Sequence, residues 1–389
     1  MKPLSHARGK IPQSGIRKLQ ELSSQIPDAI HLEVGEPNAN TPMPIIDAAY
    51  RAMQEGHTKY TSVPGYPSLR QAIRNDLEAL YGLKPGLDEI VVTSGSVTAL
   101  TASLLAIADA GDEVLIPDPA WPVYEMILMV QQCVPVRYAL KAEEGFAPDF
   151  EDLEAKVTDR TKAIFINTPG NPTGAVFDEE TVKRLMEFAR KHDLYVISDE
   201  VYEAIIYEGR HVSPKSYDTD DRVISIFAVS KKYAMTGWRL GYMVASKAIC
   251  ASVSQIMITL VGNAPSMSQK AAEAAITGPQ QFVDEMLLSY RERRDMTYEL
   301  FMNNQVKAYK TEGAFYMLID IADTGLTSDD FALALLQEEK VAVAPGSTFG
   351  NVSHEMIRVS LATEKEALRE GVNRICRFIA QRRKAALQG

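Results

Sequence analysis

Short runs of consecutive apolar, β-favouring residues recur along the chain: Ile90-Val91-Val92-Thr93, Glu113-Val114-Leu115-Ile116, Ala163-Ile164-Phe165-Ile166, Tyr195-Val196-Ile197-Ser198 and Val223-Ile224-Ser225-Ile226-Phe227. Each ends in turn-forming residues and gives way to a helix-like stretch. A strand that is apolar on both sides can face water on neither. The runs therefore belong in an α/β domain whose mostly parallel sheet is covered by helices on both faces. In such sheets ligands collect beyond the C-terminal strand ends. Helical patterns are expected over 97–108, 178–192 and 267–277, the second with Asp178 as N-cap.

The last hundred residues change character. A polar helix pattern over 282–303 precedes a strand-like Gly313-Ala314-Phe315-Tyr316-Met317-Leu318, a helix from Asp329, a strand at Val341-Ala342-Val343 and a final helix after Thr363. We read residues 46–284 as a large domain and 285–389 as a smaller α+β domain, joined in space by residues 1–45. With 389 residues the chain is long enough for both cores.

Composition removes several classes of function. The net charge is -10 and no basic block is present, which argues against a nucleic-acid partner. No run of 18 apolar residues suggests a membrane span, and Met1-Lys2-Pro3-Leu4-Ser5-His6 does not open a secretion signal. The three cysteines, Cys133, Cys250 and Cys376, are far apart, as expected of reduced packing thiols in a cytoplasmic protein. No His-Glu-x-x-His, Cys-x-x-Cys, Gly-x-Ser-x-Gly, Gly-x-Gly-x-x-Gly or P-loop pattern occurs. No metal site is expected.

Chemistry concentrates just after the strands. The segment Ser230-Lys231-Lys232-Tyr233-Ala234-Met235-Thr236-Gly237-Trp238-Arg239 follows the run that begins at Val223. A lysine leaving an apolar strand loses hydration, its pKa falls, and its amine becomes nucleophilic toward an aldehyde. An arginine eight residues later can return to the same place and grip a phosphate bidentately. A pair of solvated lysines before a loop is the plainer alternative for the dipeptide alone.

This stretch resembles the lysine signature of the fold-type-I pyridoxal-phosphate enzymes, in particular class I aminotransferases of the aspartate and aromatic type. The likeness runs in order from Ser14-Gly15-Ile16-Arg17 to Arg358, and it implies a pyridoxal 5′-phosphate cofactor. It selects Lys231 over Lys232, because only Lys231 has the aromatic two places on and the arginine eight places on. Lys231 would carry the cofactor and shuttle the substrate's α-proton.

The resemblance assigns further positions. Asn171, in Asn167-Thr168-Pro169-Gly170-Asn171-Pro172-Thr173-Gly174, would bond the cofactor's phenolic oxygen and the substrate carboxylate; alone, the tetrapeptide is a turn. Asp199, in Ser198-Asp199-Glu200-Val201-Tyr202, would keep the pyridine nitrogen protonated, although in isolation it could be a helix cap. Strand alternation turns Glu200 to the opposite face. Tyr202 would bond the phenolic oxygen. Gly95, Ser96 and Val97 would cradle the phosphate at a helix N-terminus with Ser230 and Arg239. Many relatives have a serine or glycine where this chain has Ala228, so one phosphate hydroxyl is missing.

Trp121 would stack on the ring, its plainer role being core packing. Tyr60, otherwise a surface-loop tyrosine, would reach the neighbouring subunit's phosphate, implying a homodimer with shared sites. Arg358 would form the α-carboxylate fork, with the backbone of Gly35 facing it. The substrates implied are an amino acid and a 2-oxo acid. Dicarboxylate-specific relatives of one branch carry an arginine where this chain has Ile258, so at least one neutral donor, aromatic or aliphatic, is expected, while aspartate and glutamate stay open because other branches find a cation elsewhere. A β-eliminating carbon–sulfur lyase and a non-catalytic sensor are the alternatives on the same scaffold.

Overall fold

The computed structural model describes residues 9, 11 and 15–386; Ser14 of the first motif and most of the expected segment before it lie outside the described residues. Its strands, in chain order, are β1 (Ile30–His31), β2 (Ile90–Thr93), β3 (Glu113–Asp118), β4 (Val134–Lys141), β5 (Ala147–Pro148), β6 (Thr161–Asn167) and β7 (Tyr195–Asp199). They continue with β8 (Val223–Ala228), β9 (Gly241–Val244), β10 (Ala308–Tyr309), β11 (Tyr316–Asp320), β12 (Val341–Ala342), β13 (Ala344–Pro345) and β14 (Met356–Ser360).

Eight of these build the main sheet in the order β2-β9-β8-β7-β6-β3-β4-β5. The contacts β3–β4, β3–β6, β6–β7 and β7–β8 are parallel, and β9 and β5 run against their neighbours. Every residue of β2, β3, β8 and β9 is buried, which is why their sequences show no alternation. One face packs on helices that include Ser96–Ile107 and Lys247–Leu260, the other on helices that include Glu179–Lys191. Asp178 caps the latter, its side chain accepting from the Thr181 N–H at 2.8 Å. Cys133, Cys250 and Cys376 are free and buried. No helix among the described residues is long and apolar enough to cross a membrane.

A second, antiparallel sheet has the order β10-β11-β14-β13, and the short parallel pair β1–β12 lies beside it. The Leu32 N–H reaches Ala342 O at 2.9 Å, and the Ser360 N–H reaches Leu32 O at 2.8 Å, so the segment around Leu32 is built into this smaller α+β layer. This is the α/β fold with a smaller appended layer that the sequence pattern implies.

Three boundaries differ from expectation. The strand read at 313–318 begins at Tyr316. The amides before it are committed elsewhere: those of Glu312 and Gly313 bond Gly174 O, and that of Ala314 bonds Ile205 O. The strand before the lysine, read as 223–229, stops at Ala228, and Val229–Lys232 forms a short helix that turns Lys231 out of the ladder. The run 341–343 splits, because the chain leaves the β1 pairing at Ala342 and joins β14 from Ala344.

The contact between the sheets at Gly174 is tight. This residue has φ +66°, and a Cβ there would lie 1.5 Å from Thr311 Oγ1 and 2.8 Å from Gly313 O. Gly174→Ala should lower stability by roughly 1–3 kcal/mol and the thermal midpoint by several degrees. An unchanged midpoint would mean that the two layers are not docked through this turn.

Candidate active site

Six strands of the main sheet run in one direction, and five of their C-terminal ends line one edge. Thr93 leads into Gly95-Ser96, Asp118 into Trp121, Asn167 into Asn171, Asp199 closes β7, and Ala228 leads into Ser230-Lys231. A cavity of about 940 Å³ opens there, bounded on its far side by residues of the smaller layer, Gly35, Tyr316 and Arg358 among them.

Lys231 is half-buried, and its Nζ donates to Gly35 O at 2.8 Å. Loss of hydration, aided by the charges of Arg239 and Arg358 and opposed by Glu36, lowers its pKa to about 8. Lys232 faces away. Its ammonium lies 3.2 Å from Asp76 and 3.8 Å from Glu203, and these carboxylates outweigh burial and hold its pKa above the ordinary lysine value. Two adjacent lysines thus have opposite electrostatic environments, and only Lys231 can supply a neutral amine near pH 7.

Asp199 is 2% exposed, and burial raises its pKa to about 6 against the hydrogen bond from Tyr124. Its Oδ2 accepts from Tyr124 Oη at 2.6 Å, while its Oδ1 has no partner. Glu200 turns the other way, to His211 at 2.6 Å and Ser213 at 3.1 Å, as strand alternation requires. Asn171 is positioned by its own N–H, which donates to Asn167 Oδ1 at 2.8 Å. Tyr202 Oη shares a hydrogen bond with Tyr316 Oη at 2.8 Å.

Arg358 is buried with neutral partners. It donates to Asn171 Oδ1 at 2.9 Å and to Glu33 O at 2.6 Å, and its guanidinium carbon lies 4.3 Å from the Tyr316 ring centroid and 4.8 Å from that of Phe349. The backbone expected against it was Gly35. The carbonyl that bonds Arg358 is that of Glu33, while Gly35 O accepts from Lys231; Tyr316 Oη packs against Gly35 and would lie 2.2 Å from a Cβ there.

Opposite Lys231, Gly95 has φ +85° and a Cβ on it would come within 2.7 Å of Arg239 Nη2. Glycine therefore lets the guanidinium close over the start of helix Ser96–Ile107, whose first N–H groups have no intrahelical acceptor. Ser96, Val97, Trp121 and Ser230 line the same cavity. Tyr60 does not line it and is 95% exposed. Among the described residues no cluster of histidine, cysteine, aspartate or glutamate is arranged to hold a metal ion.

Sequence reasoning passed over Tyr124, Tyr316 and Phe349. Tyr124 had a readable signal, standing one helical turn after Trp121. Tyr316 and Phe349 had none, since only the packing of the smaller layer brings them to Arg358.

Comparisons with known proteins agree with this geometry. A family profile described as aminotransferase class I and II matches residues 27–375. An aspartate aminotransferase of Pyrococcus horikoshii is 37% identical over 368 residues, covering 94% of each chain. Among solved structures, the aspartate aminotransferase of Thermus thermophilus with maleate has a TM-score of 0.93 at 34% identity, over 97% of this chain and 100% of that one. An aromatic aminotransferase from Pyrococcus horikoshii has a TM-score of 0.89 at 36% identity, over 94% of this chain and 99% of that one. With its strand ends, half-buried lysine and buried arginine gathered at one cavity, the chain belongs to the class I and II aminotransferases, fold-type-I enzymes that move an amino group between an amino acid and a 2-oxo acid.

Proposed function

We propose that the chain binds pyridoxal 5′-phosphate at Lys231 and transfers an amino group from an L-amino acid, with at least one neutral donor among its substrates, to a 2-oxo acid. One observation carries the reading: the buried carboxylate oxygen Asp199 Oδ1 lacks a partner at the edge of a cavity that also holds a lysine of lowered pKa. An unpartnered buried oxygen is costly unless a ligand meets it, and a protonated pyridine nitrogen is such a ligand.

The other residues fit the same group. The Ser96 and Val97 amides, Ser230 and Arg239 offer donors for a phosphate, and the Gly95–Arg239 approach makes the cradle. Trp121 offers a ring face, Asn171 and Tyr202 offer donors for a phenolic oxygen, and Lys231 offers the amine for an aldehyde. When bound, the cofactor supplies an electron sink for the substrate's α-carbon.

The protein's own groups do the rest. Arg358 presents a planar fork to the α-carboxylate, and its present partners are uncharged oxygens that an anion can outbid. Lys231, with a pKa near 8, is neutral in roughly a tenth of molecules at pH 7 and can take the α-proton and return it. Asp199 would hold a negative charge toward the ring nitrogen. Borohydride reduction with pyridoxal phosphate, followed by peptide mapping, should leave the pyridoxyl group on Lys231. Label on Lys232, or none, overturns the assignment.

The neutral donor is supported by the apolar residues Ile16, Val97 and Val123 in the cavity lining, which also includes Arg17 and Lys18. Ile258 is 61% exposed and carries no charge toward any neighbour. Adding amino acids singly and following the cofactor absorbance should show conversion with at least one of phenylalanine, tyrosine, leucine, methionine or alanine. Conversion by aspartate and glutamate alone would refute this part of the reading.

We further read the protein as a cytoplasmic homodimer with shared sites, divided near residues 45 and 284. Tyr60 projects fully into solvent, and Gln269 ties its loop to the segment beyond the exposed Leu260 and Val261 through bonds to Thr61 and Ala264. The three buried free cysteines suit a reducing compartment. Mixing inactive Lys231→Ala protein with an inactive Tyr60 variant should restore part of the activity once subunits exchange. No recovery despite demonstrated exchange rules out a site shared through Tyr60.

A further inference from the structure

Tyr124 stands one residue into the helix Val123–Val130, which starts just past the end of β3. From there it reaches past β6 to the end of β7. Its ring stacks on Phe165 of β6, with centroids 4.9 Å apart and planes at 26°, and it meets the Trp121 ring edge-on at 5.6 Å and 90°. The side chain is 1% exposed, and its hydroxyl makes the 2.6 Å bond to Asp199 Oδ2. One residue therefore touches both the aromatic ring and the carboxylate that line the inner part of the cavity.

We propose that Tyr124 is a positioning residue that holds Asp199 as an ionised carboxylate with Oδ1 aimed into the cavity. The inference rests on the reading that Asp199 faces the cofactor's ring nitrogen. Burial alone drives a carboxyl group toward its neutral form. A neutral Asp199 could not keep a ring nitrogen protonated. The hydroxyl of Tyr124 opposes this by donating to one oxygen of the anion, and because that oxygen is occupied the other is left for the ligand.

The Val201 backbone N–H also favours the anion, but less than Tyr124 does, and no other side chain replaces the phenol. Glu200, the nearest like charge, opposes ionisation of Asp199 and is itself turned to His211 and Ser213. Lys231 favours ionisation but is the group consumed by cofactor attachment. Tyr202 Oη is paired with Tyr316 Oη and makes no bond to Asp199. Asn167 holds Asp199 only through the backbone carbonyl, at 2.9 Å. Tyr124 is itself held neutral, since burial first and the Asp199 charge second push its phenol well above its ordinary pKa. The proton of the 2.6 Å bond therefore stays on tyrosine, and the charge stays on aspartate.

The Tyr124→Phe substitution removes the hydroxyl and keeps the ring that packs on Phe165 and Trp121. In holoenzyme carrying cofactor labelled with nitrogen-15 in the ring, the resonance of Tyr124→Phe should move toward the unprotonated position, because a more basic carboxylate takes the shared proton. Its kcat should fall by roughly 10- to 100-fold, the range expected for loss of a hydrogen bond to a charged group, with KM changed less than about threefold. A singly fluorinated tyrosine at position 124, a stronger donor of the same shape, should shift the resonance the opposite way, which a purely structural role would not do.

Asp199→Asn serves as the control. If it leaves the ring-nitrogen resonance at its wild-type position, the assignment of Asp199 itself is wrong. If Asp199→Asn shifts the resonance but neither Tyr124 variant does, Asp199 stands and the role of Tyr124 is overturned.

Discussion

Backbone hydrogen bonds between the parallel neighbours β3, β6, β7 and β8 determine where the chemistry sits. Because these strands are buried on both sides, an alternating apolar pattern cannot by itself select their register. Polar residues at the strand ends do so instead. In the observed register Asn167 opposes Asp199 and Ser198 opposes Ser225. Asp199 then meets Tyr124, and Glu200 meets His211 and Ser213 on the other face. A slip of one residue would exchange the two carboxylates and bury both without these partners, at a cost of several kcal/mol. The same bonds that position the site therefore help to specify the sheet.

Charge is distributed unevenly across that sheet. Behind it, Lys232 is paired with Asp76 and Glu203, and Glu200 with His211. In front of it, Lys231, Asp199 and Arg358 share one cavity without forming ion pairs with one another. Lys231 donates to a carbonyl, Arg358 to a carbonyl and an amide, and Asp199 accepts from a phenol. Charged groups held by neutral partners are stable enough to fold but keep most of their capacity for an ionic ligand. Burial supplies the second requirement, since it brings the lysine and the aspartate toward neutral pH from opposite sides.

The two layers meet through the site rather than beside it. Lys231 bonds Gly35, Asn171 bonds Arg358, Tyr202 bonds Tyr316, and Gly174 accepts from the amides of Glu312 and Gly313. In each pair one member follows a strand of the main sheet and the other belongs to, or packs with, the smaller layer. Arg358 depends most on this, being clamped between Tyr316 of β11 and Phe349, far from any strand of the main sheet in the chain. The carboxylate fork is thus a product of docking.

Local sequence carried the strands, their direction and most of the cavity lining. Fully apolar runs have few places to go other than a covered parallel sheet, and parallel sheets gather their C-terminal ends. Lys231 follows a strand end and was readable for that reason, as was the Asp178 cap, whose interaction spans one turn, whereas Asp199, Asn171 and Ser96 lie at or after strand ends but owed their assigned roles to the family resemblance. What tertiary structure decided depends on residues distant in the chain. It placed the Glu33 carbonyl against Arg358, started β11 at Tyr316 because the preceding amides dock on Gly174 and Ile205, and set Tyr124 on Asp199, 75 residues away. The physical reason is range: propensity and strand direction act over a few residues, whereas the ionisation of a buried group depends on whichever side chains packing brings within about 3 Å, and that is set only when the layers close.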